Sequence, residues 1–220
     1  MYRVIVPAAL ALATAACSLN TSSVSSGFTD TSTASISKRK TPSGVGAEPT
    51  ISRPSSLAGQ KHASLEDKAP KGTFEIAPKG ALSDRDYTST HLDPQFARDV
   101  INQYRADHKL KPLKLNAELT EAAKSHSRDL AKWDRISHYG SDGSNPWDRV
   151  RRTGYKARLA AENVGTGQID FSEVMRGWKA SAGHNKNLLL SDATEMGLAL
   201  VQDPKTEFKS FWTLVLASPM

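Results

Sequence analysis

An α/β fold is predicted for this chain: a mostly antiparallel sheet held between helices in a three-layer α/β/α sandwich. Three observations lead there. Glu195 to Gln202 and Ser210 to Ala217 read as strands that are apolar on both faces, since Phe211, Thr213, Val215 and Ala217 interleave with Trp212, Leu214 and Leu216. A strand apolar on both sides is buried on both sides, which calls for helices above and below it. Upstream, four segments carry helical periodicity behind start signals, and Asp203-Pro204 marks the turn of an antiparallel hairpin that needs no parallel crossover.

At the N-terminus, Arg3 precedes a thirteen-residue run of small and apolar residues, Val4 to Ala16, which reads as a signal peptide over residues 1–16. The run is too short to cross a bilayer as a helix. Cys17 is the only cysteine, so no disulfide forms within the chain. Its place after Thr14-Ala15-Ala16 resembles a bacterial lipobox, although Thr14 stands where an aliphatic residue is usual and simple cleavage after the Ala-rich site is the alternative. Acylated, Cys17 would carry diacylglycerol, and two or three acyl chains of the palmitate kind hold a membrane far better than one. Ser18 and Leu19 follow without an acid, which resembles outer-membrane sorting in an organism with two membranes.

Residues 17–91 are rich in Ser, Thr, Gly, Pro, Lys and Ala and show no sustained period. Such a stretch buries too little apolar surface to offset its ordering entropy, so a lipidated cysteine followed by a disordered spacer is expected. Its short run Thr73-Phe74-Glu75-Ile76 either belongs to that spacer or docks as an edge strand.

The domain is expected over residues 92–218. Asp93-Pro94 opens a helix to about residue 108, with Phe96, Val100, Ile101 and Tyr104 at helical spacing. Asn116 caps a second over 117–133, whose stripe is Leu119, Ala123, His126, Leu130 and Trp133. Asn145-Pro146 repeats the start for a short helix through Trp147 and Val150, stopping at Gly154. Asp170 with Glu173 opens the fourth, turning Phe171, Val174 and Trp178 inward. Leu159 to Val164 supplies a further strand.

The formal charge of +6 is spread evenly, with ten Lys/Arg against seven Asp/Glu before Asp93. Basic and acidic residues alternate along every segment, which excludes the basic stripe of a nucleic-acid binder. A monomer is expected.

Four titratable residues stand out: His126, His138, Glu162 and His184. His138 lies in a loop after the second helix, and His126 on that helix's buried stripe. Glu162 is a carboxylate inside an apolar strand, either solvated at an edge or paired. His184 follows Ser181-Ala182-Gly183, where glycine permits a tight turn that aims the imidazole inward. Taken singly, each ring is more often a neutral imidazole bonded to a core carbonyl than a functional group. No His-x-x-x-His or paired cysteines occur, so no metal motif follows from local spacing.

Ser137-His138, Ala161-Glu162-Asn163-Val164-Gly165, Trp178-x-x-Ser181-x-Gly183-His184-x-x-Asn187-Leu188-Leu189 and Glu195-x-Gly197-Leu198-Ala199, in this order, resemble the bacterial CAP (SCP/PR1-like) domain. Asn102-Gln103-Tyr104-Arg105 and the region from Leu115 to Ser127 resemble its opening. The resemblance implies an α/β/α sandwich whose cleft is lined by two His and two Glu, here His138, His184 and Glu162. Ser181 stands where the animal and plant branches carry the second Glu. His138, His184 and Glu162 are then the expected ligands of a divalent metal such as zinc, which accepts two His and one Glu; alternatively Glu162 orients a histidine from behind. His126 is a further cleft-wall candidate, with core packing as its commoner role. The expected function is a noncatalytic module of the cell envelope whose cleft binds a lipid, a wall fragment or a protein. The alternatives are a metal-dependent hydrolase or peptidase using His138, Glu162 and His184, with Ser181 as a nucleophile in one variant, and a passive structural lipoprotein.

Overall fold

The computed structural model describes residues 67–220, so the leader, Cys17 and the spacer to residue 66 lie outside the described residues. In chain order the elements are β1 (Phe74–Ile76), α1 (Pro94–Asp107), β2 (Lys114–Leu115), α2 (Ala117–Trp133), β3 (Arg135–Ser137), α3 (Pro146–Arg152), β4 (Ala157–Thr166), α4 (Phe171–Ala180), α5 (Ala182–Leu188), β5 (Glu195–Gln202) and β6 (Ser210–Pro219). Each expected start signal does its physical work. Asp93, Asn116, Asn145 and Asp170 all accept hydrogen bonds from first-turn N–H groups, and Asn145 with Asp148 forms a reciprocal capping box.

Four strands form the main sheet in the order β2-β5-β6-β4. The β5–β6 and β6–β4 pairs are antiparallel, whereas the two-residue β2 runs parallel to β5, so the sheet is mixed. Alternation along β6 divides the core as its sequence requires. Trp212, Leu214 and Leu216 face Ile101 of α1, Phe171 and Trp178 of α4 and Leu188 of α5. Val215 and Ala217 face Leu119 and Ala123 of α2 and Val150 of α3. The predicted three-layer sandwich is what forms. The layers come into close contact at Gly197 on β5, where a Cβ would stand 2.1 Å from backbone atoms of Leu119 and Thr120.

Two features differ from expectation. The four predicted helices are joined by a fifth, α5, because Ser181 opens a helix as its N-cap instead of beginning a tight turn. Gly183, a poor helix former, masks that start in the sequence.

The packed region also begins before residue 92. Within the stretch expected as spacer, residues 67–91 lie along the domain and β1 pairs antiparallel with β3, placing Phe74 opposite Ser137. The physical reason is charge and edge satisfaction. Arg135, 1% exposed, sits between the rings of Phe74 and Trp133, and Asp67 neutralises it. Arg85 pairs with Glu173 at 2.6 Å. Tyr87 and Thr90 donate to the carbonyls of Gly167 and Ile169. Composition hides these contacts because each joins a polar residue to a distant partner.

Candidate functional site

Strand parity sets the site. Glu162 shares a face of β4 with Ala160 and Val164, the face that α2 and α3 cover. Asn163, on the other face, donates to the carbonyl of His184 at 3.0 Å. Asn187 donates to Asn163 Oδ1 and to the carbonyl of Glu162 at 3.0 and 3.1 Å, so two asparagines seat α5 against β4. Trp178 Nε1 donates to the carbonyl of Val164 and holds α4 to the same strand.

Around Glu162, 1% exposed, three side chains converge. His138, just past β3, approaches Oε1 through Nδ1 at 3.0 Å. Arg149 of α3 donates through Nη2 to Oε2 at 2.7 Å. His126 of α2 lies 3.5 Å from Oε1 and is wholly buried. A carboxylate only accepts, so the proton shared with His138 resides on Nδ1 and the ring's Nε2 is turned away from the acid. The second approach of His126 fixes its tautomer likewise: Nε2 lies 2.8 Å from the carbonyl of Ser137, so Nε2 carries the hydrogen.

Burial pushes the His126 ring down to about 4, leaving it neutral at neutral pH. Burial alone would raise the Glu162 carboxyl; the charge of Arg149, with the hydrogen bond from His138, outweighs it and holds the acid well below the usual carboxylate range. Arg149 also donates to the carbonyls of Ser144 and His138 at 2.9 and 3.0 Å. It thus supports both the acid and the loop that carries His138.

His138 and His184 come together, with ring centroids 6.4 Å apart and planes inclined by 58°. Glu162 stands behind His138, and His126 behind Glu162. Ser181 is a partly exposed helix cap whose Oγ accepts from the His184 N–H at 3.5 Å. His108, outside this group, is exposed and bonded to the carbonyl of Tyr104.

A divalent metal ligated by His138, Glu162 and His184 does not fit this arrangement. Both Glu162 oxygens are engaged, one of them by a guanidinium, and a dication on that carboxylate would sit against a like charge. Among the described residues, no group of three or more His, Cys, Asp or Glu side chains is placed to hold a metal ion. The alternative role for Glu162, orienting a histidine from behind, agrees with the bond to Nδ1 of His138.

Arg149 is the residue that sequence reasoning missed. A signal existed: a carboxylate in an apolar strand needs a cation, and Arg149 falls on the inward side of α3 with Pro146 and Val150, its neighbours on the buried side of that short helix.

An α/β/α sandwich with two histidines converging beside a buried Glu is the arrangement that the resemblance to the CAP domain implied. The model of the cysteine-rich secretory protein family, CAP, matches residues 98–216, just over half of the 220 residues, and the chain belongs to that family. Two similar proteins are the uncharacterized protein YkwD of Bacillus subtilis (strain 168), 30% identical over 115 residues, and the uncharacterized membrane protein YlbC of the same organism, 31% identical over 127. The matches cover 52% and 57% of this chain but only 43% and 36% of those relatives. Among solved structures, an outer surface protein from Borrelia burgdorferi aligns at a TM-score of 0.52 and 19% identity, over 60% of this chain and 99% of that one, a likeness of fold alone. An extracellular protein containing a SCP domain from Bacillus anthracis str. Ames aligns at 0.50 and 26% identity, over 59% of this chain and 45% of that one. No helix among the described residues is long and apolar enough to cross a membrane.

Proposed function

We propose that the chain is an exported, envelope-attached CAP module that binds, without catalysis, a lipid, a wall fragment or a protein partner at the cleft between His138 and His184. One observation carries this reading: the Glu162 carboxylate is consumed by Arg149 and His138. An acid held in that way positions an imidazole and is poorly placed to activate water, so the cleft presents two oriented rings as hydrogen-bonding groups. Ser181 Oγ, used as a helix cap, is likewise poorly placed as a nucleophile. In this reading Cys17 carries the lipid that retains the protein at the membrane. Attachment is tested by intact mass of the purified N-terminus: a diacylglyceryl adduct on Cys17 supports it, and an unmodified Cys17 or cleavage elsewhere refutes it.

The binding reading is tested by native mass spectrometry of the full-length protein isolated from its own envelope. A copurifying ligand lost from a His138→Ala/His184→Ala variant is the expected result. Turnover of a peptide library by the wild type, abolished by His138→Ala and by Glu162→Gln, would overturn it.

A further inference from the structure

His138 reaches the cleft from a segment that is gripped on both sides of it, and the gripping residues lie outside the stretch that the family model matches, 98–216. Before His138, β3 pairs with β1 alone among the described residues, in a register that sets Phe74 opposite Ser137 and Ile76 opposite Arg135. Asp67 pairs with Arg135 at 2.5 Å, and the Arg135 guanidinium lies 4.9 Å from the ring of Phe74. After His138, the Lys68 N–H donates to the carbonyl of Ser141 at 2.7 Å. The Lys68 carbonyl lies so near Gly143 that a Cβ there would stand 3.2 Å from it.

One hydroxyl joins the two sides. Ser137, 5% exposed, donates through Oγ to the carbonyl of Thr73 at 2.7 Å, and the same oxygen accepts from the Tyr139 N–H at 2.9 Å. His138 is the residue between. Its two chain neighbours are tied to one oxygen atom, and the chain at Thr73 fixes that atom. From the inner side, Arg149 donates to the His138 carbonyl and Asp129 accepts from the Ser141 N–H and hydroxyl. Those contacts hold the loop against α2 and α3, whereas residues 67–76 close it from the outside.

The tolerance is small. Nδ1 of His138 stands 3.0 Å from Glu162 Oε1. A slip of about 0.5 Å would take it past the range in which such a bond forms. A ring released by Glu162 loses the partner that fixes its tautomer and its aim toward His184.

We propose that residues 67–76 form a clamp that positions His138, with Ser137 and Thr73 as positioning residues, so that the cleft is set by the chain that leads into the domain. Asp67 and Lys68 begin the clamp, and whatever displaces them reaches His138 through Arg135, Ser141 and Ser137. The clamp thereby regulates the cleft and in that respect rests on the binding function proposed for it; the positioning itself is read on the ring and needs no ligand.

The test follows the His138 Nδ1–H proton, which the bond to Glu162 protects from exchange with water, in ¹⁵N-labelled full-length protein. Lys68→Pro removes one N–H at the start of the clamp, and Ser137→Ala removes the joining hydroxyl. Each is expected to speed exchange of the His138 Nδ1–H by about fivefold or more, the factor that the net worth of one hydrogen bond corresponds to. In Lys68→Pro the Tyr139 amide, which that substitution does not touch, speeds with it. Lys68 is exposed, so this variant carries the test should Ser137→Ala fail to fold. Arg85→Gln breaks the ion pair with Glu173 further along the same segment but touches neither side of His138, and its ring proton is expected to exchange at the wild-type rate. An unchanged His138 Nδ1–H in Lys68→Pro, or an equal acceleration in Arg85→Gln, would overturn the proposal. No ligand enters the measurement, so its failure is separate from a failure of the binding reading, which copurification tests.

Discussion

Arg149→Met isolates the charge on which the whole cluster is built. The substitution keeps an unbranched apolar stem, but leaves a carboxylate with 0% side-chain exposure facing no cation. Breaking a buried ion pair from one side costs about 3–5 kcal/mol. Protonation of Glu162 sets a ceiling on the electrostatic part, because holding a carboxyl of ordinary pKa neutral at pH 7 costs about 3–4 kcal/mol. The carbonyls of Ser144 and His138 also lose a donor, at about 1 kcal/mol each where water does not replace it. A net loss of about 4 kcal/mol is therefore expected, large against the roughly 5–15 kcal/mol typical of a domain. At roughly 2–4 °C per kcal/mol, the melting temperature falls by about 8–16 °C. Urea unfolding followed by tryptophan fluorescence measures the loss directly. Arg149→Met/Glu162→Gln removes both charges while the new amide oxygen still accepts from His138, so the double variant is expected to cost less than the sum of the two single variants. A single-variant loss below about 1 kcal/mol, or strict additivity, would refute the idea that Arg149 compensates a buried charge.

Three further outcomes follow from the same contacts. His126 is neutral when folded down to about pH 4 but takes up a proton near 6.5 when unfolded, so the unfolded state binds more protons between those values and stability falls by roughly 3 kcal/mol as pH drops through that window. Glu162, depressed in the fold, adds a further loss below the unfolded carboxyl range near 4.5 as pH falls toward its folded value; His126→Gln flattens the upper part of a stability-against-pH curve and leaves the lower part in place. A chain beginning at residue 92 loses Asp67 and strands the buried Arg135, for a cost of about 2 kcal/mol or more in thermal unfolding, and unchanged melting would show that residues 67–91 contribute nothing to the fold. Gly197→Ala drives a methyl into the backbone of α2 and is expected to cost about 1–3 kcal/mol or more in urea unfolding, whereas a neutral result would mean that the two layers separate easily.

Local signals carried much of this architecture. A cap residue acts on N–H groups one turn away, and strand alternation acts on immediate neighbours, so Asp93, Asn116, Asn145 and Asp170 and the two faces of β6 were legible from the amino acids alone. The resemblance carried by His138, Glu162, Asn163 and His184 named residues distant in sequence that the fold brings close together. What each does there was not legible. In the sequence Glu162 reads equally as a metal ligand or as an acid that orients a histidine, and only the arrival of Arg149 from another helix makes it a compensated anion behind His138. The same holds for residues 67–91, whose polar composition describes a tether until Arg135 and Glu173 supply partners for Asp67 and Arg85. Sequence determined four of the helices, the three long strands and their faces, because those depend on interactions a few residues long. Tertiary structure alone decided which charges are paired, since a buried ion needs its counter-ion within a few ångströms and places no demand on where along the chain that partner is encoded.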